Sequence, residues 1–392
     1  MRLKCFYKEH KPCINIYYAQ ISANNLKTMT DSTNFQDFGL EADLFEAIEK
    51  KGFTEPTPIQ KQSLKLALNS RTVNLVGKAQ TGTGKTAAFG LPILQNLDST
   101  QRGTKALIIC PTRELAKQVA EELISLKGRK QLFVTTIYGG QGYEKQLRGL
   151  KQGDQIIVGT PGRVVDHIKK GTLKLADLEY LVLDEADEML KMGFMDDLNL
   201  IFENTNELAQ KFLFSATMPK KVKDLIKKYV DEYELIEIET TTKVTHLSTQ
   251  RMLEVQERQK LDALCFIIDQ SPDFYGIVFC RTKHETDKVK DELLSKGYGV
   301  DSIHGDIPQR SRERVLQKFR NKQINILIAT DVAARGIDIN DLNFVINYHV
   351  PENAESFVHR VGRTGRAGNT GTAVSLVSCS EYKDFKEIER IN

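Results

Sequence analysis

The chain has 392 residues, 40% hydrophobic and 27% charged, a globular composition long enough for about two domains, which excludes a disordered or fibrous polymer. The formal net charge is only +3, so any polyanion site has to come from local clustering of basic residues rather than from bulk charge. The six cysteines (Cys5, Cys13, Cys110, Cys265, Cys280, Cys379) form no Cys-x-x-Cys pair, no apolar run reaches the ~18 residues of a membrane span, and the basic N-terminus lacks an apolar stretch, so disulfide frameworks, zinc sites, a membrane partner and secretion are not expected and the cytoplasm is.

Residues 1–34 show no clean periodicity. Aromatics (Phe6, Tyr7, Tyr17, Tyr18) lie among lysines, a mixture able to stack on nucleic acid. The favoured reading is a loosely held extension, or a start placed too early with Met29 as the real one, and no function is assigned to it. From Phe35 the pattern becomes orderly. Leu40, Leu44, Phe45 and Ile48 predict a helix closed by Gly52. Two prolines, Pro56 and Pro58, then hold an extended loop, and Gln60 opens the next helical run. A glutamine amide offers one donor and one acceptor, the pattern that matches the N6/N7 edge of adenine.

An apolar run at Val73–Val76 leads into Ala79-Gln80-Thr81-Gly82-Thr83-Gly84-Lys85-Thr86, followed by helix-like spacing from Ala87. This is strand, Gly-rich loop, helix, with Ala79 where the general phosphate-loop pattern has its first glycine. The small residues let backbone N–H groups surround phosphate oxygens. Lys85 is placed for the β/γ phosphates and Thr86 for Mg²⁺. Strand-like runs then alternate with helical ones: Ala106–Cys110, Phe133–Thr136, Gln155–Val158, Tyr180–Leu183 and Phe212–Phe214. The alternation predicts a parallel α/β sheet with its ligands at the carboxyl ends of the strands. At the tip of one such strand stand Asp184, a candidate magnesium ligand, and Glu185, a candidate base for the attacking water.

Residues 241–250 are Thr/Ser-rich without a core pattern and read as a short flexible linker. The alternation resumes at Gly276–Cys280, Val300–Ile303, Ile324–Ala329, Phe344–Tyr348 and Thr372–Val377, now without a phosphate loop. Near its end come Arg360, Arg363 and Arg366, spaced by three. A phosphate-loop domain needs positive charge from elsewhere to stabilise the transferring phosphoryl group, and Arg363 and Arg366 could supply it across a cleft.

Taken together, Asp184-Glu185-Ala186-Asp187, Ala79–Thr86, Gly52–Gln60, Pro111–Ala116, Gly139-Gly140, Thr160–Arg163, Ser215-Ala216-Thr217, Val278–Thr282, His304-Gly305-Asp306 with Gln309 and Arg312, Ala329–Asp338 and His359–Arg366 resemble the DEAD-box ATP-dependent RNA helicases, in family order over residues 35–392. The wording is similar to bacterial general-purpose members. The resemblance implies an α/β fold of two tandem RecA-like domains: an extension at 1–34, an ATP-binding domain at 35–240, the linker at 241–250 and a second domain at 251–392. It further implies that Phe53 and Gln60 hold adenine, that residues Gln80, Thr81, Gly82, Thr83, Gly84, Lys85 and Thr86 hold the phosphates, and that Asp338 lies near the ribose. Arg363 and Arg366 would act as arginine fingers, while Ser215, Thr217 and His359 would couple the ATP and RNA sites. RNA would lie on Pro111, Thr112, Arg113, Gly140, Thr160, Gly162 and Arg163 of the first lobe and on Arg281, Thr282, Gly305, Thr330, Arg335 and Gly336 of the second.

These are backbone and sugar binders rather than base readers, so RNA is expected in any sequence, with 2′-OH contacts favouring it over DNA. ATP and Mg²⁺ are the expected cofactors; protein partners stay unknown. Asn392 falls where family members usually continue, and the last helix, Glu381–Ile391, is expected to be incomplete. The expected activity is RNA-dependent ATP hydrolysis with local duplex unwinding. An ATP-gated RNA clamp uses the same residues and is told apart by slow phosphate release. A DNA translocase would require equal stimulation by DNA.

Overall fold

The runs read as strands are apolar at nearly every position, as strands buried on both faces must be, and they assemble into two parallel sheets. The computed structural model describes residues 34–80, 82–238, 248–334, 337, 339, 342–365 and 370–391. After a short 3-10 turn at Phe35–Phe38, the first lobe runs α1 (Ala42–Lys50), α2 (Pro58–Asn69), β1 (Asn74–Lys78), α3 (Lys85–Asn96), β2 (Ala106–Ile109), α4 (Arg113–Leu126) and β3 (Val134–Ile137). It continues through α5 (Tyr143–Gln152), β4 (Ile156–Gly159), α6 (Pro161–Lys169), β5 (Tyr180–Asp184), α7 (Ala186–Lys191), α8 (Met195–Glu203), β6 (Gln210–Ser215), α9 (Lys220–Tyr229) and β7 (Tyr233–Glu237).

The second lobe comprises β8 (Ser248–Glu254), α10 (Lys260–Asp269), β9 (Gly276–Cys280), α11 (Lys283–Ser295), β10 (Val300–Ile303), α12 (Gln309–Arg320) and β11 (Ile326–Thr330). Then follow α13 (Asp331–Ala334), β12 (Phe344–Asn347), α14 (Ala354–Val361), β13 (Gly371–Val377) and α15 (Tyr382–Ile391).

The strand orders are β3-β4-β2-β5-β6-β1-β7 and β10-β11-β9-β12-β13-β8. Numbered from its own first strand, each lobe therefore has the order 3-4-2-5-6-1, and the first adds β7 at its edge. The lobes are structural repeats. Successive residues alternate between two helix layers: Leu75, Ile108, Val182 and Phe212 face one, Val76, Leu107, Leu181 and Leu213 the other. The second sheet alternates likewise, Ile277, Leu327 and Val345 against Val278, Ile328 and Ile346.

The predicted strands recur within one or two residues. Two elements were not predicted, β7 and β8, and both are edge strands of largely exposed side chains that lack a second apolar face. The linker reading is corrected in part: Ser248–Gln250 open β8, which pairs with β13 from Ser248 onward. Residues 241–247 of the linker, and the 1–33 portion of the N-terminal extension, lie outside the described residues. Cys110 and Cys280 are buried, as expected of small hydrophobes, and burial pushes both thiols well up. Cys265 is only half-buried.

Candidate active site

The loop between β1 and α3 is fastened from behind by the start of α2. Thr57 caps that helix with Gln60 in a reciprocal capping box, and Pro58 occupies its first turn. Thr57 Oγ1 donates to the carbonyl of Thr83 at 2.8 Å, and Gln60 Nε2 donates to that of Gly84 at 3.1 Å, while Gln60 Oε1 accepts from Thr57 N at 2.9 Å. One N–H and one lone pair of the Gln60 amide remain for another partner. Gly84 adopts φ 85°, and a Cβ there would meet Gln60 Nε2 at 2.3 Å, so only glycine fits. Thr83 Oγ1 closes the turn onto Gln80 O at 2.8 Å. Phe53 is half-buried against the first-lobe core, with the Lys51 ammonium 5.8 Å from its ring centre.

Lys85 is the first residue of α3, 6% exposed, and its Nζ makes no hydrogen bond. Asp184 closes β5, 2% exposed, and its Oδ1 is equally unpartnered. Burial pushes the Asp184 carboxyl up, against the pull of Lys85. Glu185 follows in the left-handed region at φ 55°, a costly conformation for a residue with a Cβ. Its carboxyl is pushed up to about 7 by burial, with Asp184 adding to the rise and Lys85 and Arg363 opposing it. A buried ammonium and a buried carboxylate oxygen without hydrogen bonds are costly unless a ligand completes them. This donor set, with the half-buried Thr86 one residue on, fits a phosphate chain and a divalent cation.

Behind these groups the strand ends are latched together. Ala79 N donates to Ser215 O at 3.0 Å. Ser215 Oγ accepts from Asp187 N at 3.2 Å and donates to Thr217 O at 2.7 Å. Thr217 gives both its N–H (3.0 Å) and its hydroxyl (2.6 Å) to Asp187 Oδ2. Burial would raise the Asp187 carboxyl, but these bonds and the nearby Lys191 and Lys85 hold it below its ordinary value.

The three arginines spaced by three separate in role. Arg360 is consumed inside the second lobe: it forms a bidentate pair with Asp331 at 2.6 and 2.7 Å and donates to Asn347 and the His349 carbonyl. Arg363 donates to Ile337 O at 2.6 Å and lies close enough to Glu185 of the first lobe to lower its pKa. His359 sits on α14, half-buried. Thr81, Arg335, Gly336, Asp338 and Arg366 lie outside the described residues.

The remaining predicted residues gather at the ends of the other strands. Pro111, Thr112 and Arg113 follow β2, Gly140 follows β3, and Thr160, Gly162 and Arg163 follow β4. In the second lobe Arg281 and Thr282 follow β9, Gly305 follows β10, and Thr330 ends β11. The two sets are thus the same half of each repeated sheet. Thr112 caps α4 through Oγ1, accepting from Leu115 N at 3.2 Å, and Thr282 caps α11 the same way from Glu285 N at 3.2 Å. Each cap spends a lone pair and leaves the hydroxyl hydrogen to donate outward. Arg163 lies over Tyr143 at 5.1 Å and donates to Gln146 Oε1 at 3.4 Å. Gln146 in turn meets the buried His167, whose imidazole is held neutral, its pKa lowered to about 4 mainly by burial.

Sequence reasoning did not find the contacts that join the lobes on this face. Glu114 of α4 and Arg312 of α12 pair at 3.1 Å with side chains 11% and 12% exposed. Gln309 Nε2 donates to Glu114 at 3.2 Å, and Arg113 Nη1 to Gln309 Oε1 at 3.5 Å. No local pattern signals a pair so distant in the chain.

Comparison with known proteins agrees with this geometry. Residues 57–225 match the family model for the DEAD/DEAH box helicase, and residues 259–368 that for the helicase conserved C-terminal domain. The chain is 46% identical over 329 residues to the probable ATP-dependent RNA helicase MJ0669 of Methanocaldococcus jannaschii, covering 84% of this chain and 88% of that protein. The chain belongs to the DEAD/DEAH box helicase family.

The DEAD-box ATP-dependent RNA helicase CshA of Geobacillus kaustophilus is another relative, 46% identical over 84% of this chain and 70% of its own length. The chain spans 63% of the Listeria monocytogenes CshA. Among solved DEAD-box structures, a variant of S. cerevisiae Dbp5 bound to RNA and ADP BeF3 superposes with a TM-score of 0.83 at 31% identity, covering 91% of this chain and 93% of that one. The same Dbp5 variant bound to Nup159, Gle1, IP6 and ADP scores 0.66.

Proposed function

We propose that this chain is an RNA-dependent ATPase that locally separates short RNA duplexes by closing its two lobes on one strand. The observation that carries the reading is the buried Lys85 Nζ and Asp184 Oδ1, both without a hydrogen bond, next to Glu185, which is within electrostatic reach of Arg363 from the second lobe. Lys85 and the backbone N–H groups of Gly82–Thr86 would bind the phosphates, and Phe53 and Gln60 the adenine. Thr86 and Asp184 would hold Mg²⁺, which supplies charge neutralisation to the phosphate oxygens.

Glu185, fixed at a strand tip and poised near neutrality, orients the attacking water and takes its proton. Arg363, with Arg366, meets the charge that spreads over the transferring phosphoryl oxygens. Such a finger is worth about 10³–10⁵ in rate, so a lobe separation that withdraws it stops turnover. The Ser215–Thr217–Asp187 latch ties the end of β6 to the turn after β5 that carries Glu185, and would couple this chemistry to the RNA site.

On that half, the N-termini of α4, α6 and α11, the outward hydroxyls of Thr112 and Thr282, and the guanidinium groups of Arg113, Arg163 and Arg281 form a row suited to phosphate and sugar. A strand gripped across both lobes must follow the protein rather than a duplex partner. The test is steady-state ATP hydrolysis with single-stranded RNA, a matched DNA, or neither. Strong stimulation by RNA alone is expected. Equal stimulation by DNA would replace the RNA reading with a DNA translocase, and ATP binding without stimulation would replace it with a regulated clamp.

A further inference from the structure

The repeat of the two lobes places a second ionic centre where the first lobe keeps its phosphate site. By strand order β8 stands for β1, β12 for β5 and β13 for β6. Lys260 is the first residue of α10, as Lys85 is of α3. His349 lies just past β12, as Glu185 does past β5, and Glu381 follows β13. No glycine-rich loop precedes Lys260, and this site is filled by the chain's own charges.

Lys260 is fully buried and donates to Glu381 Oε2 at 2.6 Å, with Glu257 Oε2 at 3.1 Å; its ammonium also lies 2.9 Å from His349 Nδ1, where it opposes the charge on the ring. His349 sets Nδ1 against Glu381 Oε1 at 2.8 Å and Nε2 against Glu285 Oε1 at 2.5 Å. Two carboxylate acceptors on the two ring nitrogens call for a doubly protonated ring. Glu381 also accepts from Ser378 N and Oγ and from Val350 N, which leaves its carboxylate no freedom to turn.

One member of the cluster points out of it. Arg281, in the row assigned above to RNA, has a side chain 54% exposed, yet its Nη2 lies 3.2 Å from Glu381 Oε1. Its backbone N–H donates to Glu285 Oε2 at 3.1 Å, the second carboxylate on His349. With His349 protonated, Lys260, His349 and Arg281 balance Glu257, Glu285 and Glu381. A long arginine side chain left free would lose rotamer freedom on meeting a phosphate; one already oriented by a rigid carboxylate loses less.

We propose that Glu381 is a positioning residue for Arg281, and that the second lobe's counterpart of the phosphate site serves the RNA half of the sheet. This rests on the reading that Arg281 meets the RNA backbone. The carboxylate does not touch RNA; it pre-sets the guanidinium that does.

The test is a double-substitution cycle in the full chain. RNA-stimulated ATPase would be measured with a single-stranded oligouridylate for wild type, Glu381→Gln, Arg281→Ala and the double variant. Glu381→Gln is expected to raise the KM for RNA by about 3–10-fold, with kcat at saturating RNA and the KM for ATP within about twofold of wild type. In the Arg281→Ala background it should add nothing. An unchanged KM, or an effect that simply multiplies that of Arg281→Ala, overturns the positioning role. If Arg281→Ala itself leaves the KM for RNA unaltered, the fault lies with the RNA assignment of Arg281, and the proposal falls with it. Glu381→Asp, which keeps the charge but withdraws it by one methylene, gives the same cycle should Glu381→Gln melt in the assay range.

Discussion

The Glu114–Arg312 pair makes lobe closure quantitatively testable. Its partners come from different lobes, so the pair exists only when the lobes are together and its loss falls on closure rather than on either fold. At 3.1 Å, with both side chains nearly buried, removing one charge strands the other; that costs about 3–5 kcal/mol for a fully buried pair. Residual exposure and the partners that remain, the Ala333 carbonyl for Arg312 and the Gln309 amide for Glu114, reduce the expected cost to about 2–3 kcal/mol. At about 1.4 kcal/mol per factor of ten, Glu114→Gln should raise the RNA concentration for half-maximal ATPase by about 30–150-fold. ATP affinity in the absence of RNA, proposed to rest on first-lobe groups before closure, should not change. Arg312→Gln should act alike, and the double variant should be little worse than either alone. A KM for RNA within about threefold of wild type in both single variants would refute the latch.

Glu185→Gln should retain ATP and RNA binding while kcat falls by about 10²-fold or more; near-normal turnover in single-turnover assays would remove Glu185 from the base role. Because its carboxyl titrates at about 7 and a base must be unprotonated to act, kcat/KM for ATP should rise with pH through that value, and a profile flat from pH 6 to 8 would contradict it. Thr217→Val removes the 2.6 Å bond to Asp187 with little change of shape; ATPase should persist while strand displacement drops about tenfold, and parallel loss of both would reject a coupling role. Stability of the second lobe should depend on pH through its buried cluster. The carboxylates on both nitrogens outweigh burial and raise the His349 pKa above 6.5, so its contribution is full below that pH and is lost as pH climbs through the raised value. Glu381 is lowered by its bonds from His349, Lys260 and Ser378 despite burial, so its share is present above 4.5 and is lost only on deep acidification. The melting difference between wild type and His349→Gln should therefore be larger at pH 6 than at pH 9, and a gap that widens with pH would reverse the assignment.

What the sequence could announce was what depends on neighbours in the chain. The phosphate loop, the Asp184–Glu185 strand tip and the buried strands are local patterns, since a parallel strand buried on both faces needs apolar residues in succession. The edge strands β7 and β8 escaped because exposed edges carry no such run. Arg360 and Arg363 were indistinguishable by spacing; only the fold shows that Asp331 and Asn347 consume the first and leave the second beside Glu185. The sequence suggested Gln60 as a match for the adenine edge but not as the clasp that holds Gly84, which requires α2 and α3 to be packed together.

The division of labour within each sheet follows from topology. In a 3-4-2-5-6-1 sheet the chain reverses direction across the β2–β5 border, and loops on either side of such a border diverge to leave a crevice. In the first lobe, strands β1, β5 and β6 carry the groups proposed to hold ATP, and β2, β3 and β4 carry the row proposed to hold RNA. The second lobe repeats the same two halves. The half that matches the proposed RNA row has the same threonine-capped helix, whereas the other half holds Lys260, His349 and Glu381 bound to one another. The ligand-binding groups of the first lobe stay incomplete without a bound anion, and the counterpart in the second is complete by itself. Under the proposed function, that asymmetry leaves one nucleotide to be shared between two lobes, with Arg363 as its closing charge from the side whose own site is already filled.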